Sequence, residues 1–120
     1  MNNMKNYFSE AEMKCKCPCG ESNFNADFQN KLNRIRSLFN KPIYITSGYR
    51  CNDHNKAVGG NLNSAHTKGL AVDIKCDNSV DRFELLKIMY NVGITRIGIS
   101  DKFVHVDVDA TKPHPVTWVY

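Results

Sequence analysis

Near the end of the chain, the run Phe103-Val104-His105-Val106-Asp107-Val108-Asp109 alternates strictly between apolar and polar residues, and this constrains the fold most. Successive side chains of a strand point to opposite faces, so Val104, Val106 and Val108 share one side. Phe103, His105, Asp107 and Asp109 share the other. The valine face belongs on a core. The opposite face carries an imidazole and two carboxylates, groups that are costly to bury without partners. Leu70–Cys76 repeats the pattern, with Leu70, Val72, Ile74 and Cys76 on one face and Ala71, Asp73 and Lys75 on the other. Two strands therefore each present polar groups away from their core, where a cleft is expected.

The other elements follow from periodicity. Phe24, Phe28, Leu32, Ile35, Leu38 and Phe39 recur mostly at three- and four-residue steps. They predict a helix starting near Asn23, capped by Asn23 or Asn25 and ending before Pro42. Ile43–Ser47 reads as a strand broken by Gly48. Residues 49–69 form a long polar loop with a short helix around Asn52–Val58, and loops of this length are usually functional. Ser79–Val92 reads as a second helix, with Val80, Phe83, Leu86 and Tyr90 inward and Gly93 at its end. Ile94–Ile99 is a strand joined to the valine strand by a turn at Ser100–Lys102. Val116–Tyr120 adds a short edge strand after Pro113 and Pro115. A chain of 120 residues fits one domain, 1–120, with residues 1–22 as an irregular, cysteine-containing N-terminal segment.

Composition narrows the partners. The residues are 42% hydrophobic and 23% charged, which fits a soluble globular chain, and no apolar run is long enough for a membrane span. Met1–Phe8 contains no apolar stretch of the secretory kind, so no signal peptide is expected. The net charge of +4 comes from scattered lysines, which suits an anionic polymer such as a cell wall. Without a basic run, nucleic acid is not an expected partner.

Five cysteines, Cys15, Cys17, Cys19, Cys51 and Cys76, make an odd count that argues against a complete disulfide framework. Three lie in Cys15-Lys16-Cys17-Pro18-Cys19-Gly20, where the C-x-C spacing is tighter than in usual structural zinc sites and no fourth ligand stands out. The cluster could bind a second metal, but reduced thiols in a short turn are the preferred reading, and Cys76 is read as a buried thiol on an apolar strand face.

His66, Asp73 and His105 are the candidate metal ligands. Two imidazoles and a carboxylate can hold one zinc ion and leave a coordination position open, as catalytic rather than structural sites do. His66 lies in the loop before the strand that carries Asp73, and Gly69 lets the chain turn between them. The His-x6-Asp spacing alone is common and carries little weight.

The wider pattern is more specific. Ser47-Gly48-Tyr49-Arg50-Cys51, His54-Asn55 and Val58-Gly59-Gly60 come first. Ser64-x-His66-x-x-Gly69-x-Ala71-x-Asp73 and Phe103-Val104-His105-Val106-Asp107 follow. Together, from about Phe8 to Trp118, they resemble the zinc D-alanyl-D-alanine carboxypeptidase family, which includes phage endolysins. The resemblance implies an α+β fold, shared with the zinc-binding domain of hedgehog proteins. In it a small antiparallel sheet carries the metal and packs with two main helices. It implies one Zn2+ held by His66, Asp73 and His105, with Arg50 and Ser64 contacting substrate. The implied substrate is a peptidoglycan stem peptide. A monomer is expected, and compactness with no signal peptide favours synthesis in the cytoplasm of a bacterial host and action on the wall after lysis or from a phage particle.

The general base departs from the family pattern. Lys102 and Phe103 occupy the near upstream positions, and Asp101 stands four residues before His105, about 13 Å away along a straight strand. A turn at Ser100–Lys102 would fold it back. Asp107, about 7 Å from His105 by the same rise, could be the base or could orient His105 or Arg50. Asp101 ranks first and Asp107 second. His54 is expected to hydrogen-bond the loop, His114 to lie on the surface, and Trp118 to wall the cleft or pack the last strand. D-Ala-D-Ala carboxypeptidase is the leading activity, with L-Ala-D-Glu endopeptidase or a non-catalytic zinc-containing wall-binding or virion module as alternatives.

Overall fold

The computed structural model describes residues 5–120. Its elements are α1 (Glu10–Met13), α2 (Ala26–Phe39), β1 (Ile45–Ser47), α3 (Asn52–Ala57), a 3-10 turn (Ala65–Lys68), β2 (Ala71–Lys75), α4 (Ser79–Asn91), β3 (Arg96–Ile99), β4 (Phe103–Asp107) and β5 (Val116–Val119). The strands form one sheet in the order β1-β2-β4-β3-β5. Every pairing is antiparallel except β3 with β5, which is parallel, so the sheet is mixed. The parallel pair arises because the chain crosses from the end of β4 through residues 108–115 before β5 adds beside β3.

The alternation in β2 and β4 sorts as the sequence predicts. Val72, Ile74, Val104 and Val106 are buried in the core, with Phe28, Leu32 and Ile35 of α2 and Leu85 and Met89 of α4. Full burial of each such side chain stabilises by about 1.5–3 kcal/mol. Asn25 caps α2, its side chain accepting from the Phe28 N–H at 2.9 Å, and Asn40 ends the helix at φ 59° ahead of Pro42.

Of the predicted inward face of α4, only Leu86 packs against the core, partly buried. Val80 is 73% exposed, Phe83 66% and Tyr90 51%, while Leu85 and Met89 are buried. Apolar residues surround this helix, so two stripes satisfy the helical period. The Leu85–Met89 stripe is the one that meets α2 and the sheet. Leu38 of α2 is likewise exposed. No helix among the described residues is long and apolar enough to cross a membrane.

Candidate metal centre

The face of the sheet opposite the valines forms the floor of a cleft of about 490 Å³. Asp73 and His105 lie directly across from each other in the β2–β4 ladder. Strand parity turns both toward the cleft, and the register sets their separation. His66 arrives from the 3-10 turn, which Ser64 begins by accepting the His66 N–H at 3.2 Å. Gly69 ends that turn at φ +71°, and a Cβ there would stand 2.0 Å from the Asn23 carbonyl oxygen, so the turn requires glycine.

Three donor atoms converge. Asp73 Oδ1 lies 3.3 Å from His66 Nε2 and 2.9 Å from His105 Nδ1. One ligand atom from each residue falls within 4.8 Å of the others. Nitrogen and oxygen donors about 2.0–2.2 Å from a tetrahedral zinc stand roughly 3.3–3.6 Å apart. The His66–Asp73 separation fits that value, and the His105–Asp73 separation is the shorter one of a hydrogen bond. Each imidazole has its remaining nitrogen engaged: His66 Nδ1 with the Gly48 carbonyl at 2.8 Å, and His105 Nε2 with Asp107 Oδ2 at 2.7 Å. Such partners orient metal-binding imidazoles and fix which nitrogen faces the ion. The residues fit a zinc ion.

The same contacts set the electrostatics of the metal-free site. Burial disfavours the Asp73 carboxylate, but hydrogen bonds with His105 and His66 outweigh it and hold its pKa well below the usual carboxylate range. Burial likewise disfavours a charged His105, yet its bonds to Asp107 and Asp73 raise its pKa above the ordinary 6.5. Asp107 is lowered in turn, its burial offset first by His105 and then by the Asp109 N–H.

Arg50 and Ser64 both line the cleft, and Arg50 Nη2 donates to Ser64 Oγ at 3.4 Å. Arg50 Nε is buried without a hydrogen-bond partner among the described residues. Burial lowers the pKa of the guanidinium, against the pull of Asp73, but leaves it a cation.

The two candidates for the general base separate. Asp107 lines the cleft, 1% exposed, with Oδ2 against His105 and Oδ1 accepting from Arg96 Nε at 2.8 Å and from the Asp109 N–H at 3.1 Å. Asp101 does not reach the cleft. It is exposed in the β3–β4 turn, where Ser100 Oγ lies 3.3 Å from its carboxylate and Arg82 donates to its backbone carbonyl. The turn stays tight, closed by Ser100 N–H to the Phe103 carbonyl at 2.9 Å, and so does not fold Asp101 back.

Asp109 leaves the strand to pair with Lys68 at 2.9 Å. The bond seen from His54 is its backbone N–H to Cys51 Sγ, not an imidazole contact to the loop. Trp118 walls the cleft, its ring 5.4 Å from that of His105, and His114 is exposed.

Arg96, Lys112 and Tyr120 also line the cleft and were not picked out from the sequence. Arg96 was legible: in Arg96-Ile97-Gly98-Ile99 the isoleucines alternate with Arg96 and Gly98, and Arg96 pairs with Asp107 across the ladder. Tyr120 shares the strand face of Trp118 by the two-residue period, whereas Lys112 lies in irregular chain where no period marks a face.

A cleft whose floor gathers two imidazoles and a carboxylate on an α+β sheet defines a protein with a candidate mononuclear metal centre of the hydrolytic kind. The sequence model of the Peptidase M15 family matches residues 6–107, and the chain belongs to that family, whose members are zinc-dependent metallopeptidases. No curated protein matches the chain.

Proposed function

We propose that this protein is a zinc peptidase acting on peptidoglycan stem peptides, with His66 Nε2, Asp73 Oδ1 and His105 Nδ1 as the metal donors. The convergence of those three atoms on the cleft floor carries the reading. Zinc bound there would supply Lewis-acid polarisation of a carbonyl and would acidify water. Arg50, which lines the cleft, binds a peptide carboxylate through its guanidinium, and Ser64 holds Arg50 in place. Asp107 is a positioning residue that fixes the ring of His105. Trp118 shields one side of the cleft from water.

A carboxylate-seeking arginine beside the metal donors favours removal of a terminal D-alanine, so D-Ala-D-Ala carboxypeptidase is the leading activity. The L-Ala-D-Glu endopeptidase reaction uses the same donor set. A wall-lytic role after host lysis or from a phage particle suits either activity. One observation favours a non-catalytic wall-binding module: both oxygens of Asp107 are engaged and Asp101 lies outside the cleft.

Mass spectrometry of peptidoglycan treated with zinc-loaded protein separates these readings. Free D-alanine identifies the carboxypeptidase, and new amino termini on D-glutamate identify the endopeptidase. Wall binding without product identifies the module. Product release that survives His66→Ala overturns the assigned metal donors.

A further inference from the structure

We propose that Cys15, Cys17, Cys19 and Cys51 together hold a second, structural zinc ion on the flank of the cleft. The short turn of three thiols lacks a fourth ligand only in sequence. In the fold, the segment after β1 brings Cys51 against it, and ligand atoms of all four residues lie within 4.8 Å of one another.

The spacing is that of a metal site and not of a disulfide. Cys15 Sγ lies 3.5 Å from Cys17 Sγ and 3.7 Å from Cys51 Sγ, and Cys17 and Cys51 stand 3.5 Å apart. Four sulfurs about 2.3 Å from a tetrahedral zinc are separated by roughly 3.8 Å. Bonded sulfurs stand only about 2.05 Å apart. All five cysteines are free thiols.

The backbone is arranged around thiolates. Each sulfur of the cluster accepts one N–H: Cys15 from Cys51 at 3.4 Å, Cys17 from Cys19 at 3.4 Å, Cys19 from Glu21 at 3.5 Å, and Cys51 from His54 at 3.4 Å. Donors of this kind stabilise sulfur that has lost its proton to a metal. Gly20, at φ +64°, lets the turn close, and Cys15 N–H to the Glu21 carbonyl at 2.8 Å seals it.

The assignment also settles the odd cysteine count. Four thiols form the cluster, and the fifth, Cys76, belongs to the hydrophobic core. Cys51 follows Arg50 directly, so the ion would clamp the N-terminal segment onto the loop that presents the cleft arginine. This site is independent of the proposed peptidase activity.

The test uses the full chain purified with zinc, its metal content measured by mass spectrometry. Wild type is expected to hold two zinc ions. His66→Ala/His105→Ala is expected to keep one, and Cys17→Ser/Cys19→Ser to keep the other. Cobalt substituted into the histidine double variant is expected to show the sulfur-to-metal charge-transfer band of tetrahedral thiolate coordination. Exposed Cys19 is expected to resist alkylation until a chelator is added, a reading that needs no substitution. A histidine double variant that is folded yet free of metal, a cobalt spectrum without thiolate bands, or alkylation of Cys19 unchanged by chelator would each overturn the site.

Discussion

Asp107 Oδ2 accepts a hydrogen bond from His105 Nε2 at 2.7 Å, two residues away on the same strand, and Arg96 holds the other oxygen of that carboxylate. The strand thus supplies both an imidazole and the group that aims it. Removing the carboxylate charge leaves Arg96 underpaired and the ring less firmly held. Asp107→Asn is expected to weaken zinc binding by about 10–100-fold, the usual cost of losing such a partner. Competition with a chromogenic chelator measures this, and wild-type affinity would reject the orienting role.

Arg50→Ala is expected to raise KM for a stem peptide about ten- to hundredfold with little change in kcat, since a charge-assisted hydrogen bond contributes about 1.5–3 kcal/mol. Arg50→Lys restores only part, because an ammonium lacks the planar fork that matches a carboxylate. Steady-state kinetics on a defined peptide decide it. A loss confined to kcat would place Arg50 at the reacting carbonyl instead.

Asp101→Asn is expected to leave kcat/KM within about twofold, as exposed substitutions usually do. The carboxylate lies in the β3–β4 turn, outside the cleft. A hundredfold loss would restore Asp101 as the general base.

At His105, a proposed zinc donor, protons and zinc would compete. Its pKa in the metal-free fold lies above the ordinary 6.5, so its contribution to stability is full below 6.5 and is lost as pH rises through the folded value. Asp73 and Asp107 lie below the ordinary 3.8; their contribution is present above 3.8 and is lost as pH falls through their folded values. Metal-free protein is therefore expected to be most stable between about pH 4 and 6.5. Zinc must displace the His105 proton, so the stabilisation it adds grows as pH rises toward the folded value. Urea denaturation across pH, with and without zinc, tests both limits. Metal-free stability that climbs steadily above pH 7 would contradict the first.

Gly69→Ala is expected to destabilise by at least about 1–3 kcal/mol, because a positive φ and a backbone clash coincide there. The carbonyl of Gly69 also accepts the N–H of Asn25, the residue that caps α2, so the strain spreads to that helix. Chemical denaturation reads the change, and a shift under half a kilocalorie would mean that the turn relaxes freely.

Legibility followed periodicity and register. Val104, Val106, His105 and Asp107 sorted correctly because a strand leaves only two faces; cap chemistry narrowed the start of α2 to Asn23 or Asn25, and the fold uses Asn25. Helix α4 misled because Val80, Phe83 and Tyr90 form an apolar stripe that faces out, and only packing against α2 selects Leu85 and Met89. Asp101 ranks first on its family-like upstream position, although the strand rise puts it out of reach, and the tight turn closed by Ser100 and Phe103 keeps it there. Cys51 escaped notice for the opposite reason: 32 positions separate it from Cys19, and only the fold cancels that separation.

The ladder that sets Asp73 against His105 also acts as a clock. His66 and Asp73 lie seven positions apart and emerge from the ribosome together, whereas His105 follows 32 positions later. The centre comes into being only when β4 zips against β2 with every residue matched. A slip of one position would turn His105 toward the hydrophobic core. If the three donors hold zinc as proposed, the complete donor set exists only after the central strands have paired in register, and a fully coordinated ion would report that alignment.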